Sequence, residues 1–194
     1  MSDPALGLIE VESVSAGIVS GDAMVKTAPI GTIYAGTVHP GKYLVMVSGD
    51  TASVEIALDT GRELGAETVV DSVFLPDIHP EVAKAVVGGP HDLNGESLAI
   101  LETATVAATI NAADAGLKAA DVTLPTVRLA DGLGGKGYLL ISGVVGEVEA
   151  ALEAALARAS EHGPVVRSDL IAQLHEDMAA NLIAEPEFMR RIGP

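Results

Sequence analysis

Gly132, Gly134 and Gly137 are spaced as G-x-G-x-x-G, the pattern in which a glycine-rich turn brings backbone N–H groups against the pyrophosphate of a dinucleotide. That chemistry requires the glycines to leave a strand and open a helix. Here Tyr138 to Ser142 read as another strand, so the match is a coincidence of turn residues. Lys136 is not followed by Ser or Thr, which removes the phosphate-binding P-loop as well. His79 and His175 stand beside acidic residues, a setting that suits metal ligation or proton transfer. They also fall at equivalent places in an internal repeat, each at the end of a copy, which suits packing or an edge contact better. Cysteine is absent, and with it disulfides, thiolate metal ligands, thiol nucleophiles and cysteine-bound iron–sulfur clusters. No nucleophile with a matched base and no ligand set of known spacing is left.

The elements that must position these residues follow from the repeat. A shift of 92 sets Glu10 on Glu102, Val14 on Val106, Ile18 on Ile110, Asp22 on Asp114 and Lys26 on Lys118. Two extra residues near Leu129 to Leu133 change the shift to 94, pairing Gly41 with Gly135, Lys42 with Lys136, Ser48 with Ser142 and Leu58 with Leu152. A further step of two sets Val69 on Val165, Ser72 on Ser168 and His79 on His175. Both steps fall where loops are expected, since loops accept insertions and packed elements do not. The chain therefore divides into domains over 5–90 and 95–183, joined through the turn-forming run Gly88 to Gly95, with a tail over 184–194.

Within each copy the pattern predicts an opening strand, Leu6 to Glu12 or Ser97 to Thr103, then a helix over Gly17 to Ala28 or Thr109 to Ala120. Two strands follow around a glycine-bearing loop. Asp50 is a fitting N-cap for a second helix, where Val54, Ala57, Leu58 and Gly61 form one apolar stripe; Val148, Ala151, Leu152 and Ala155 repeat it. A last strand, Thr68 to Leu75 or Pro164 to Ile171, leads to a short terminal helix. The order is β-α-β-β-α-β in each copy, so the expected fold is α/β of the α+β kind: tandem, ferredoxin-like split βαβ domains, each with both helices on one face of its sheet.

Composition narrows the function classes. With 48% hydrophobic and 20% charged residues the chain can bury a core, and no apolar run reaches the roughly 20 residues of a membrane span. The N-terminus has no basic segment followed by an apolar one, so no secretory signal is expected. The expected location is the cytoplasm, with no membrane partner. A net charge of -16 and only 3% aromatic residues oppose nucleic acid as a partner.

Several of these segments resemble the bacterial microcompartment shell domain, once per copy. Asp22-Ala23-Met24-Val25-Lys26 resembles that family's first-helix signature, and Asp114-Ala115-Gly116-Leu117-Lys118 repeats it. Gly41-Lys42-Tyr43-Leu44-Val45-Met46-Val47-Ser48-Gly49-Asp50 resembles its pore loop and following strand, weakened in copy two to Gly143-Val144. Val38-His39-Pro40-Gly41-Lys42, Val70-Asp71-Ser72, Ile78-His79-Pro80 and Gly132 to Gly137 are similar to the tandem, trimeric shell proteins of propanediol-utilisation compartments. Both copies run in the unpermuted order, unlike the circularly permuted tandem shell proteins of ethanolamine compartments.

The resemblance implies a homotrimer, pseudohexameric in outline, that joins other microcompartment shell proteins edge to edge and passes small polar metabolites through a central pore. It implies that His39, Pro40 and Gly41 alternate around the axis with Leu133, Gly134 and Gly135; on the residues alone these glycines are those of ordinary turns. Lys26 and Lys118 match the family's edge lysine, and His79 and His175 fall near the tile edge. The family's Arg-Pro-His there is replaced by Asp77-Ile78-His79 and Gln173-Leu174-His175. In the propanediol relatives a cysteine matching His39 holds an iron–sulfur cluster; with histidine there, that cofactor is not expected. Three His39 rings near an axis could instead bind a divalent metal, hydrogen-bond an anionic metabolite or change the pore's charge as they titrate. No enzymatic activity is expected. The rival reading of the fold is a small-molecule-sensing regulatory module, since tandem ferredoxin-like domains commonly bind ligands between them.

Overall fold

A computed structural model describes residues 4–88, 93 and 95–184. Most of the proposed linker and all but the first residue of the proposed tail lie outside these. Copy one runs β1 (Ala5–Val11), α1 (Val14–Thr27), β2 (Thr32–Val38), β3 (Lys42–Gly49), α2 (Thr51–Gly65), a 3-10 turn (Ala66–Thr68), β4 (Val69–Leu75) and α3 (Pro80–Val86). Copy two runs β5 (Ser97–Thr103), α4 (Val106–Ala119), β6 (Thr123–Leu129), β7 (Gly137–Gly143), α5 (Val145–Ser160), β8 (Val165–Ile171) and α6 (Glu176–Leu182). The two antiparallel sheets have orders β2-β3-β1-β4 and β6-β7-β5-β8, the split βαβ topology expected of each copy.

The first helix of each copy begins three residues earlier than the pattern predicts. Ser13 and Thr105 cap these ends, their hydroxyls accepting from the Ala16 and Ala108 N–H at 3.3 and 3.2 Å. Asp50 caps α2 as expected, accepting from the Ser53 N–H at 3.0 Å, and hydrogen bonds from the Ser53 side chain and backbone hold its carboxyl below the ordinary value. Val144, its counterpart, has no side chain to do the same, and α5 starts uncapped.

Every residue of β1 is buried, because the strand is covered on both faces. One face, with Ile9, Val11, Val45 and Val47, packs on Met24 of α1 and on Val54, Ala57 and Leu58 of α2. The other face, with Leu6, Leu8, Met46, Val73 and Leu75, joins Ile78 and Val82 in a core that continues into Val106, Ile110, Leu117 and Leu124 of copy two. The copies thus share this second core, while the first belongs to copy one alone.

A polar group lies at the centre of that shared surface. The Glu10 side chain is fully buried; Oε1 accepts from Lys42 Nζ at 2.6 Å and Oε2 from the backbone N–H of Val106, the first residue of α4, at 2.8 Å. Its register partner on β4, Asp71, accepts from the Thr105 hydroxyl at 2.5 Å and from His162 Nδ1 at 2.9 Å. Asn111 Nδ2 lies 2.5 Å from the other nitrogen of that ring and donates to it. Two carboxylates of copy one therefore meet the N-terminus of α4, where the helix dipole favours negative charge. Burial pushes the Asp71 carboxyl upward, but the hydrogen bonds from His162 and Thr105 together outweigh it and leave the group below its ordinary value.

Two tests of this junction follow from its burial. Lys42→Met leaves the Glu10 carboxylate buried without its counter-charge and should lower stability by about 3 kcal/mol in a denaturant titration. Because the folded Asp71 carboxyl is more acidic than the unfolded one, its contribution is complete above the unfolded value of 3.8 and is lost as pH falls through the lower, folded one. Asp71→Asn should accordingly lower the melting temperature at neutral pH and flatten the acid limb of a melting-temperature profile below about pH 4.

Candidate functional site

The loops that close the two central hairpins lie side by side. The β2–β3 loop is tight: the Gly41 N–H donates to the Val38 carbonyl at 2.9 Å, Gly41 has φ of 112°, and the His39–Pro40 peptide is cis. The β6–β7 loop is longer and folds on itself, with Leu133 N–H donating to the Ala130 carbonyl and Ala130 N–H to the Lys136 carbonyl, both at 3.0 Å. Gly132, Gly134 and Gly135 all have positive φ, and a Cβ at Gly137 would collide with Thr109, so these glycines answer to backbone geometry and packing. The run joins two strands and opens no helix, so the dinucleotide fingerprint is indeed spurious.

The two loops touch. Asp131 Oδ1 lies 3.4 Å from both the backbone N and the ring Nδ1 of His39, and both side chains are largely exposed. A Cβ at Gly135 would come within 2.9 Å of Pro40 Cδ, so only glycine permits this approach. Beneath the loops, Lys42 is paired with Glu10 and Lys136 with Glu102, which spends both ammonium groups locally. The loop pair therefore offers backbone, one imidazole and one carboxylate. This set can hold or orient a solute but includes no activated nucleophile.

His39, Pro40, Gly41, Leu133, Gly134 and Gly135 are thus brought to one end of the fold, joined by Asp131, which the sequence pattern did not single out. Lys26, Lys118, His79 and His175 are elsewhere. Lys26 is exposed and paired with Asp22 at 2.5 Å. Lys118 pairs with Asp114 at 2.7 Å and also donates to the Asp77 carbonyl of copy one. His79 and His175 are N-caps of α3 and α6, their Nδ1 atoms accepting from the Glu81 and Asp177 N–H at 3.3 and 3.2 Å.

A cleft of about 600 Å³ lies between the copies, with Asn111, Asp114, Lys118, Arg158 and Glu161 among its lining residues. Its charges are engaged with one another, Asp114 with Lys118 and Arg158 with Glu161. Among the described residues no group of three or more His, Asp or Glu could hold a metal ion within one chain, and no helix is long and apolar enough to cross a membrane.

Comparison with known proteins agrees with this geometry. The BMC domain model matches residues 5–78 and 97–174. The bacterial microcompartment shell protein PduT of Citrobacter freundii is 38% identical over 92% of this chain and 97% of its own length. PduA of the same organism, also a bacterial microcompartment shell protein, is 32% identical over 46% of this chain and 98% of its own, the proportion expected of one copy. A crystal structure of a microcompartment protein from Desulfitobacterium hafniense superposes with a TM-score of 0.80 at 35% identity, covering 92% of this chain and 99% of that one. The chain belongs to the BMC domain family and carries two of its domains in tandem.

Proposed function

We propose that the chain is a structural shell protein of a bacterial microcompartment, built as a homotrimer whose six lobes surround a central pore. The carrying observation is that matched surfaces of the two copies differ in burial. Helix α3 is sunk between copies, with Val82 at 0% exposure, whereas α6 has no buried residue and its matching Met178 is 50% exposed. Likewise Ile110 of α4 is fully buried under copy one, whereas Ile18 of α1 is 54% exposed. Val14 and Val25 are exposed on the same helix where Val106 and Leu117 are covered. Each chain thus satisfies one copy-to-copy contact and leaves open the two halves of a second, identical in kind. A second chain docking head to tail covers one of these halves and leaves its own mate open, and three chains close a ring of six lobes.

In that ring the paired loops of each chain would face a common axis, with His39, Pro40, Gly41, Leu133, Gly134 and Gly135 around a passage for small polar metabolites. The mechanism is selective passage through a rim of glycine backbone, imidazole and carboxylate, with no bond made or broken. Lys26 and Lys118 would lie at the outer edge, where tiles meet each other and other shell proteins, with the caps His79 and His175 nearby. The domain limits 5–90 and 95–183 describe the two lobes. The iron–sulfur cluster of the propanediol relatives has no ligands here, because the chain has no cysteine. The donors that the ring would gather are three His39 imidazoles, each beside an Asp131 carboxylate, and these suit a divalent cation better.

Sedimentation and negative-stain microscopy of the purified chain should show trimers of hexagonal outline that join into sheets. Lys26→Ala should leave trimers intact and stop sheet growth; the double change with Lys118→Ala should also loosen the contact with Asp77. A monodisperse monomer or dimer would instead favour a ligand-sensing module. Metal analysis after zinc exposure should show about one ion per trimer, lost in His39→Ala; none bound in the parent chain would remove the metal from the pore.

A further inference from the structure

Each copy presents a strand face, ending in α3 or α6, and a helix face, led by α1 or α4. Inside the chain the strand face of copy one meets the helix face of copy two, and at the polar centre Asp71 accepts from Thr105 and His162. The open faces carry a different charge pattern. Glu10 and Asp71 are register partners across β1 and β4; Glu102 and Arg167 are the partners across β5 and β8. Glu102 keeps the part of Glu10, down to its lysine, Lys136. Arg167 takes the place of Asp71 with the opposite sign.

The receiving side differs as well. His162 follows α5 beside Glu161, whose carboxylate is taken up by Arg158, and the matching turn after α2, Ala66–Thr68, has no histidine and carries the exposed acid Glu67. Ser13, the cap of α1, matches Thr105. Arg167 is already oriented: its Nε and Nη2 donate to Asp169 at 2.5 and 2.9 Å, which leaves Nη1 to serve a second carboxylate.

We infer that Arg167 of one chain pairs with Glu67 of the next, and that this pair and Asp71–His162 together fix the alternation of copy one and copy two around the ring. The inference rests on the trimer reading above. A strand face of copy one on a helix face of copy one would set Asp71 against Glu67, two acids. A strand face of copy two on a helix face of copy two would set Arg167 against the His162 ring and deprive that ring of the carboxylate it pairs with inside the chain. Like charges forced together and a ring left without its carboxylate both oppose association, so the wrong contacts are rejected and the right ones favoured.

The test is a charge swap in the full chain, read by sedimentation equilibrium. Arg167→Glu and Glu67→Arg should each weaken trimer association by about tenfold or more, and the double swap should recover most of it. Circular dichroism of each variant should match the parent, since both side chains are on the surface. Single variants that associate like the parent would overturn the pair while leaving the trimer standing, and so would a double variant without recovery. A parent chain that never forms trimers would overturn the ring itself and this pair with it.

Discussion

The carboxylate of Glu10 is shut away from water between an ammonium of its own sheet and the first N–H of a helix from the other copy. A buried charge is tolerated only where every lone pair finds a donor, so this group fixes the position of α4 on the first sheet within narrow limits. Asp71 adds a second bond to the cap of the same helix, and Leu8, Val73 and Ile110 close the apolar surface around them. The placement of the loops follows from this. His39 reaches Asp131, and Pro40 reaches Gly135, only because the two sheets are held in one relative orientation by groups at the base of the hairpins. The rim geometry is therefore set by a junction that lies outside it.

Two copies of one fold need not be packed by the same side chains, and here they are not. In copy one Tyr43 lies against α1 at Gly17, where a Cβ would clash with the ring. In copy two the matching strand position is Gly137 and the matching helix position is Thr109, and a Cβ on Gly137 would collide with the threonine hydroxyl. Bulk has moved from strand to helix and has shrunk from a tyrosine ring to a threonine side chain, a change that a close-packed interior accepts when both partners change together. The hairpin loops differ in length and chemistry, yet the strand residues next to them keep one register, Thr37 opposite Tyr43 in copy one and Leu129 opposite Gly137 in copy two.

Much of this was legible in the residues. The repeat placed both sheets, because apolar strand residues and the Val54 and Val148 stripes obey fixed periods. Helix starts were missed by three residues since Val14-Ser15-Ala16 carries little periodic signal, and only the Ser13 cap bond marks the boundary. Glu10 and Lys42 recur as Glu102 and Lys136, and an acid repeated within a buried apolar strand was a sign of a structural pair. Asp71 and His162 left no such sign. Their counterparts are Arg167 and the turn at Glu67, so the repeat is broken at the place where the two contacts differ. Asp131 was hidden for a plainer reason, as it falls in the inserted residues of the longer loop.

The burial asymmetry also bears on why the chain exposes what it does. Ile18, Val14, Met178 and Ile171 lie at the surface of the isolated chain, although the same fold covers Ile110, Val106, Val82 and Leu75. Exposed apolar side chains scattered singly need no explanation, but these occupy the mates of buried positions on two faces that are complementary by construction. The surfaces of one copy-to-copy contact are thus present twice, once satisfied within the chain and once open, as the proposed ring requires. A ring of the proposed kind built from one-copy chains would have to make every such contact between chains. In the proposed trimer, tandem duplication converts half of the contacts of the six-lobed ring into folding, so half of its interfaces would no longer depend on protein concentration.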